Sequence, residues 1–395
     1  MIIPDMFHSK ELFFRPEKTN RPYVVILIVC GLAAAIWLAS AWLATAQEIN
    51  GLSLSLSSVS HNDVSSGSTR AKPPKQIVKA LYLTAYSAGN PKKLDEIIKL
   101  IEETELNAVV IDIKDYSGLA LYDSQVGLIK QLGLKDNRLG DVTALIKKLR
   151  DHNIYVIARQ TVFQDPELAK KRPEWAIKDK RGGLWRDHKG LAWVDTANKK
   201  IWRHNLNIAQ EAIALGFDEI NFDYVRFPSD GDMKNIVLNL NGQKKYEVMR
   251  DFFTFLDQHL SKEPVWISLD FFGLTTEAVG ENDLTIGQRL VDAVDYVDYI
   301  SPMMYPSHYQ IGHLGFKNPA DHPAEVIEHG MKAGVTFFKD KRAGFRPWLQ
   351  AFDIGAIYDG KKIRAQIDAV EKYSDAGWLL WNAANRYTKA GLKES

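Results

Sequence analysis

Asp223 and Asp270 are the acidic residues best placed to do chemistry. Each interrupts an apolar, aromatic run, EINFDYVRF (219–227) and VWISLDFFG (265–273). A charge inside a buried strand is costly unless a partner or a substrate meets it. Two carboxyl groups facing one cleft can cleave a glycosidic bond, one as proton donor and the other as nucleophile or base. Asp270, beside Phe271 and Phe272, is the expected donor because desolvation weakens its acidity. Asp223, near Arg226, is the expected ionised partner. The roles could be reversed, and Asp223 could instead pair with Arg226 or Arg159 merely to satisfy the interior.

Positioning such groups requires a regular scaffold. From Val78 onward, short β-branched or aromatic runs alternate with helical periods. The runs are VKALYLTAY (78–86), AVVIDIKD (108–115), YVIARQTVF (155–163), EINFDYVRF, VWISLDFFG, YVDYISPMMY (296–305), RPWLQAF (346–352) and GWLLWNA (377–383). PKKLDEIIKLIEET, DVTALIKKLRDH and KKYEVMRDFFTFLDQHL are helix candidates between them. Strand alternating with helix implies a parallel sheet. Eight such units predict an α/β fold, the (β/α)8 TIM barrel, over residues 77–395. A doubly wound open sheet is the alternative, but the first strand runs into TAYSAGNP rather than a G-x-G-x-x-G turn.

Side chains alternate along a strand, so Ile220, Phe222 and Tyr224 should face the helices while Asn221 and Asp223 face the interior. The same parity places Asp112 and Lys114 together on the second strand, with Asp115 at its end. Arg159 lies on the third, Ser268 with Asp270 on the fifth, and Ser301, Met303 and Tyr305 on the sixth. Trp348 and Gln350 belong to the seventh, and Trp381-Asn382 ends the eighth. Polar and aromatic residues therefore gather at the C-terminal mouth, where barrel enzymes build their sites. Asp112, Lys114, Asp115, Arg159, Asn221, Arg226, Tyr305, His308, Trp348, Gln350, Trp381 and Asn382 are the candidate substrate-binding residues. Asp112 could be the true second carboxylate, and Asp112, Lys114 and Asp115 could equally brace the strand end. Trp175, Trp185 and Trp193 lie in a long connection after the third strand, as an aromatic lid over a sugar would require.

Competing chemistries find little support. The sequence has neither a G-x-S-x-G elbow nor an H-E-x-x-H pair. His308, His313, His322 and His329 show no metal-ligand spacing, and no glycine-rich phosphate cradle follows the last strands, so neither metal nor cofactor is expected. A formal net charge of +1, with 25% charged and 46% hydrophobic residues, gives no basis for a nucleic-acid partner.

Tyr23 to Ala46 carries no charge and exceeds the roughly 20 residues that span a bilayer. Lys10, Arg15, Lys18 and Arg21 precede it, which orients residues 1–22 towards the cytoplasm and the barrel outward. Residues 23–46 are thus expected to form a transmembrane anchor, and the Ser- and Pro-rich stretch 47–76 a disordered tether. Cleavage near Ala46, releasing a secreted domain, is the alternative. The only cysteine, Cys30, lies in the apolar segment, so the outer part has no disulfide or thiol nucleophile.

NAVVIDIKDYSG, DEINFDYVRFPSDG, FFGLTT, VDYISPMMYPSHY, RPWLQAF and GWLLWNAANRYT together resemble an uncharacterised bacterial family of glycoside hydrolases with a barrel fold. The likeness spans roughly residues 77–390. It implies a carbohydrate-active protein outside the cytoplasm that binds polysaccharide or oligosaccharide. Where that family tends to carry an acid on the seventh strand, this chain has Ala351. A looser likeness to chitinases covers FDEINFDYVRFP, but Val225 or Arg226 falls where their acid would be, so their substrate-assisted mechanism does not transfer. A catalytically silent polysaccharide-binding scaffold and a transglycosylase are the rival functions.

Overall fold

The computed structural model describes residues 70–395, which close into one parallel barrel. The strands are β1 (Val78–Leu83), β2 (Ala108–Lys114), β3 (Tyr155–Thr161), β4 (Glu219–Asp223), β5 (Trp266–Phe272), β6 (Tyr299–Met304), β7 (Trp348–Gln350) and β8 (Gly377–Trp381). Each pairs in parallel with its neighbours. Trp348 opposite Met303 joins β7 to β6 and completes the ring. The seam between β8 and β1 requires glycine: Gly377 has φ +91°, and a Cβ there would lie 1.9 Å from the Val78 carbonyl oxygen.

Among the described residues six long helices pack outside: α1 (Pro91–Glu102), α2 (Val142–Asp151), α3 (Lys199–Leu215), α4 (Lys245–Leu260), α5 (Pro323–Gly334) and α6 (Gly360–Glu371). Asn90, Asp141, Asn198 and Asp359 cap α1, α2, α3 and α6 by accepting backbone N–H groups of the first turn. In α1 the buried residues Leu94, Ile97, Ile98 and Ile101 repeat at helical spacing and fix the face that meets the sheet. The strict alternation of strand and helix fails once. Between β5 and β6 the chain makes only short 3-10 turns, Gly273–Thr276 and Leu290–Asp292. Among the described residues no helix is long and apolar enough to cross a membrane. The expected cytoplasmic segment 1–22, anchor 23–46 and first part of the tether lie outside the described residues.

Strand parity sorts the apolar residues into two separate clusters. Leu81, Val109, Ile111, Val156, Ile220, Phe222, Leu269 and Leu349 join the helix-facing core. Val78, Ala80, Tyr82, Val110, Ile157, Trp348 and Leu379 fill the lumen. Full burial of a side chain such as Phe222 contributes roughly 1.5–3 kcal/mol. At the floor of the lumen Glu219 is bound by Arg346, by the Ser268 hydroxyl at 2.5 Å and by the Tyr155 hydroxyl at 3.2 Å.

Residues 70–76, at the end of the expected tether, lie against this floor. Arg70 donates to the carbonyls of Gly216 and Phe217 at 2.7 and 2.8 Å and pairs with Asp218, all just before β4. Lys72 sits 4.0 Å above the Trp266 ring, and the Trp266 indole donates to the Pro73 carbonyl at 3.0 Å. Composition suggested a free chain, but these basic residues find carbonyls, acids and an aromatic face at the strand starts.

Candidate active site

Above the floor, one guanidinium gathers three carboxylates. Arg159, on β3, donates to Asp112 Oδ1 at 2.6 Å and to Asp223 Oδ2, while its Nε lies 3.7 Å from Asp270 Oδ2. β2, β3, β4 and β5 are consecutive in the ring, and the register sets Asp112 opposite Arg159 and Arg159 opposite Asn221. Asp223 and Asp270 lie two residues further along their strands than Asn221 and Ser268, and shared inward parity lets the one guanidinium reach all three acids. All four are buried. Since Asp223 and Asp270 both reach the same guanidinium, their carboxyls fall within the roughly 10 Å that paired-carboxylate hydrolysis allows.

The acids sit in different surroundings. Asp270 accepts from the Trp348 indole at 2.7 Å and from the Asn221 amide at 2.8 Å, both on Oδ1. Desolvation, aided by the charge of Asp223, nevertheless pushes its pKa up to about 8, against the opposing pull of Arg159 and these donors. Burial likewise raises Asp112 to about 6, although Arg159 and the Tyr82 hydroxyl, at 2.5 Å, favour its ionised form. Arg159 is held well above its usual value: burial opposes its charge, but Asp223 and Asp112 more than offset that effect. Asp223 Oδ1 accepts the backbone N–H of Tyr224 at 2.5 Å. Tyr224 follows at φ +52°, a conformation a bulky residue adopts only where its surroundings impose it. The chain thus leaves the strand immediately after Asp223.

Aromatic rings complete the chamber. Tyr82 stacks on Trp381, with centroids 3.9 Å apart at 20°, and Arg159 lies 5.0 Å from the Trp381 ring. Trp348 meets Trp381 edge-on at 5.5 Å. Tyr305 belongs to the same lumen cluster, its hydroxyl raised well above its ordinary value by burial and by the charges of Asp270 and Asp223. Its ring packs edge-on against His308 and Phe352 at the rim.

The structure therefore brings Asp112, Arg159, Asn221, Asp223, Asp270, Tyr305, Trp348 and Trp381 together, with His308 at the rim. Other candidates lie elsewhere. A register shift between Asp112 and Lys114 breaks the expected alternation. The Lys114 ammonium instead pairs with Asp165 at 2.8 Å and donates to the Thr161 carbonyl at 2.9 Å. Asp115 binds its own turn through the N–H and hydroxyl of Ser117. Arg226 does not pair with Asp223; it lies among the Trp193, Tyr224 and Phe272 rings and donates to the Phe227 carbonyl. Gln350 ties two mouth loops, accepting from Ser307 N–H and donating to the Phe352 and Ile354 carbonyls. Asn382 donates to the carbonyls of Ala351 and Arg386.

The aromatic lid also differs from expectation. Trp185 and Trp193 are buried between their loop and the chain that follows β4: the Trp185 indole donates to the Asp232 carbonyl, and Trp193 donates to Asp187 while packing on Tyr224 and Arg226. A short antiparallel pairing, Lys178–Asp179 with Ile236–Val237, ties that loop to the one after β4. A cavity of about 380 Å³ lies outside the lumen, lined by outward-facing Leu81 and Leu380 together with Tyr358 and Ile363, so it is not this chamber. Sequence reasoning missed Tyr82, which shares inward parity with Val78 and Ala80 and is the one polar-tipped residue on that face within β1. It also missed the floor pair of Glu219 and Arg346, although Glu219 has the parity of Asn221 and Asp223.

Residues 80–387 match the family described as "Putative glycosyl hydrolase domain" (DUF4015). The chain belongs to that family. A hypothetical protein from Ruminiclostridium thermocellum is 38% identical over 48% of this chain and 96% of its own, with a TM-score of 0.45. The family fold is shared with the PgaB (BpsB) glycoside hydrolase domain from Bordetella bronchiseptica, at TM-score 0.57 and 12% identity over 78% of this chain and 95% of that one. It is shared also with α-L-fucosidase isoenzyme 2 from Paenibacillus thiaminolyticus, at TM-score 0.52 and 13% identity over 80% of this chain and 47% of that one. At such identities the likeness concerns the barrel alone. Among curated proteins none matches.

Proposed function

We propose that the chain hydrolyses O-glycosidic bonds of a cell-surface or extracellular polysaccharide by paired-carboxylate catalysis. The observation that supports this most directly is the pairing of Asp223 and Asp270 around Arg159 at the mouth of the barrel, with Asp270 raised to about 8. A carboxyl that stays protonated at neutral pH is what a general acid must be. Asp223 would act as nucleophile or base. Trp381, Tyr82 and Tyr305 would offer ring faces and edges to pyranose C–H groups. The family, and the glycoside hydrolase barrels that share its fold, favour the same reading. A transglycosylase would use the same groups with a sugar hydroxyl in place of water.

A polysaccharide-binding barrel without turnover is the second reading. Its support is that both oxygens of Asp223 are already engaged, one by Arg159 and one by Tyr224 N–H. Incubating the full chain and Asp223→Asn with a panel of envelope and exopolysaccharides separates the two. Release of reducing ends by the wild type, lowered about 10²–10⁴-fold in the variant, is the hydrolase result. Equal release by both removes Asp223 from the mechanism, whereas binding with no release supports the scaffold.

In the same proposal, residues 23–46 anchor the chain with its N-terminus in the cytoplasm and the barrel outside. Protease treatment of intact spheroplasts should cut the barrel and spare residues 1–22. A mature N-terminus near Ala46 would instead mean secretion after cleavage.

A further inference from the structure

The bond between Trp348 and Asp270 bears on which carboxyl oxygen carries the catalytic proton. An indole N–H only donates, so the oxygen it meets must accept. It meets Oδ1, at 2.7 Å, and the Asn221 amide meets the same oxygen at 2.8 Å. Oδ2 takes no part in either bond, and its cationic neighbour, Arg159 Nε, lies 3.7 Å away. Asp270 is 1% exposed and Trp348 also 1%, so water does not compete for the arrangement.

We propose that Trp348 is a positioning residue for Asp270, fixing Oδ1 as the carbonyl oxygen and placing the acidic proton on Oδ2, the oxygen nearer Arg159. This deepens the hydrolase reading and rests on it for the reaction step, though not for the hydrogen bond itself. As the glycosidic C–O bond breaks, its electron pair goes to the departing sugar oxygen, which takes the proton from Oδ2. The O–H pair stays on Asp270, and the anomeric carbon bonds to Asp223 or to a water that Asp223 deprotonates. The new carboxylate then holds its charge between two preplaced N–H donors and the Arg159 guanidinium. A neutral bond to Trp348 becomes a charge-assisted one in that step, so it strengthens where it lowers the barrier.

Trp348 is held in register for this task. β7 is only three residues long, yet it pairs with β6 on one side and β8 on the other. The Gln366 side chain clamps its end, accepting from Gln350 N–H at 3.0 Å and donating to the Gln350 carbonyl at 2.9 Å. Trp348 also stands edge-on to Tyr82, with centroids 6.4 Å apart, which blocks rotation of the indole.

The native full-length chain allows a direct test by NMR with ¹⁵N-labelled indoles. One indole N–H signal should shift with a midpoint near 8, the value to which Asp270 is raised, and Asp270→Asn should abolish that shift. No such signal, or one that still titrates in Asp270→Asn, overturns the proposal. These outcomes do not require turnover, so they stand even if no polysaccharide is cleaved and the hydrolase reading fails. If the chain is a hydrolase, Trp348→Phe should lower kcat roughly 10-fold or more with little change in KM. It should also move the alkaline limb of the pH profile up by about 1 unit, because a lost donor favours the neutral acid. A fall in kcat with the limb unmoved assigns Trp348 a merely structural role and refutes the proposal.

Discussion

Arg346 grips both oxygens of Glu219 at the barrel floor, and neither side chain has any exposure to solvent. Removing one partner strands the other charge in a dry interior. Glu219→Gln should therefore cost about 3–5 kcal/mol of unfolding free energy, read as a lowered urea midpoint. Replacing both residues with apolar groups of similar volume should recover most of that loss. Recovery failing in a well-packed double variant would mean that the pair contributes more than its own satisfaction.

Arg159 faces a different demand, because it serves three acids at once. A lysine carries the same charge as a compact point and cannot bridge Asp112 and Asp223 while standing beside Asp270. Arg159→Lys should cost a few kcal/mol, approaching the ~3–5 kcal/mol expected for a stranded buried pair in Arg159→Ala. Both variants should raise the titration of Asp112 and Asp270 further, since Arg159 opposes their upward shifts. Carboxyl ¹³C titration measures this, and unchanged midpoints would contradict the assigned electrostatics.

Asp270 also links stability to pH. Its value rises from 3.8 to about 8 on folding, so the native state holds the proton more tightly than the unfolded chain does. Its favourable contribution is complete below its unfolded value and is lost as pH climbs towards 8. Asp270→Asn lacks this loss, so its stability relative to wild type should improve between pH 5 and pH 8. Urea unfolding at several pH values checks the sign, and a constant difference would refute it.

Trp381 is half-buried at the mouth, with one face on Tyr82. Trp381→Ala should weaken saccharide binding roughly tenfold, a loss of the size expected for one aromatic contact. Calorimetry with the best-bound oligosaccharide from the panel measures it. Unchanged affinity would place the sugar elsewhere in the mouth.

The barrel was legible because period-2 runs separated by helical spacing leave few other arrangements. The starts of most strands match the sequence segments closely, as at Val78, Ala108, Tyr155, Glu219 and Gly377. The strand ends ran too long: β4 stops at Asp223 because Tyr224 takes a positive φ, a tertiary imposition that composition does not carry. Asp112, Arg159, Asp223 and Asp270 were readable by parity alone. Lys114 was not, because one irregularity in register turned it from its expected neighbour to Asp165. Trp185 and Trp193 misled for another reason. Their rings seal the packing between that loop and the chain after β4, Trp193 against Tyr224 and Arg226 and Trp185 against the Asp232 carbonyl. Gln350 and Asn382 look like sugar contacts in sequence, yet backbone carbonyls of the mouth loops claim their amides first.

The segment from Arg70 to Pro73 leaves an architectural consequence. It meets the barrel at the pole where the strands begin, whereas Asp223 and Asp270 lie towards the other pole. A surface that grips this polypeptide from its leading side would therefore hold the cup by its base, with the rim free to admit a long glycan strand from the opposite direction.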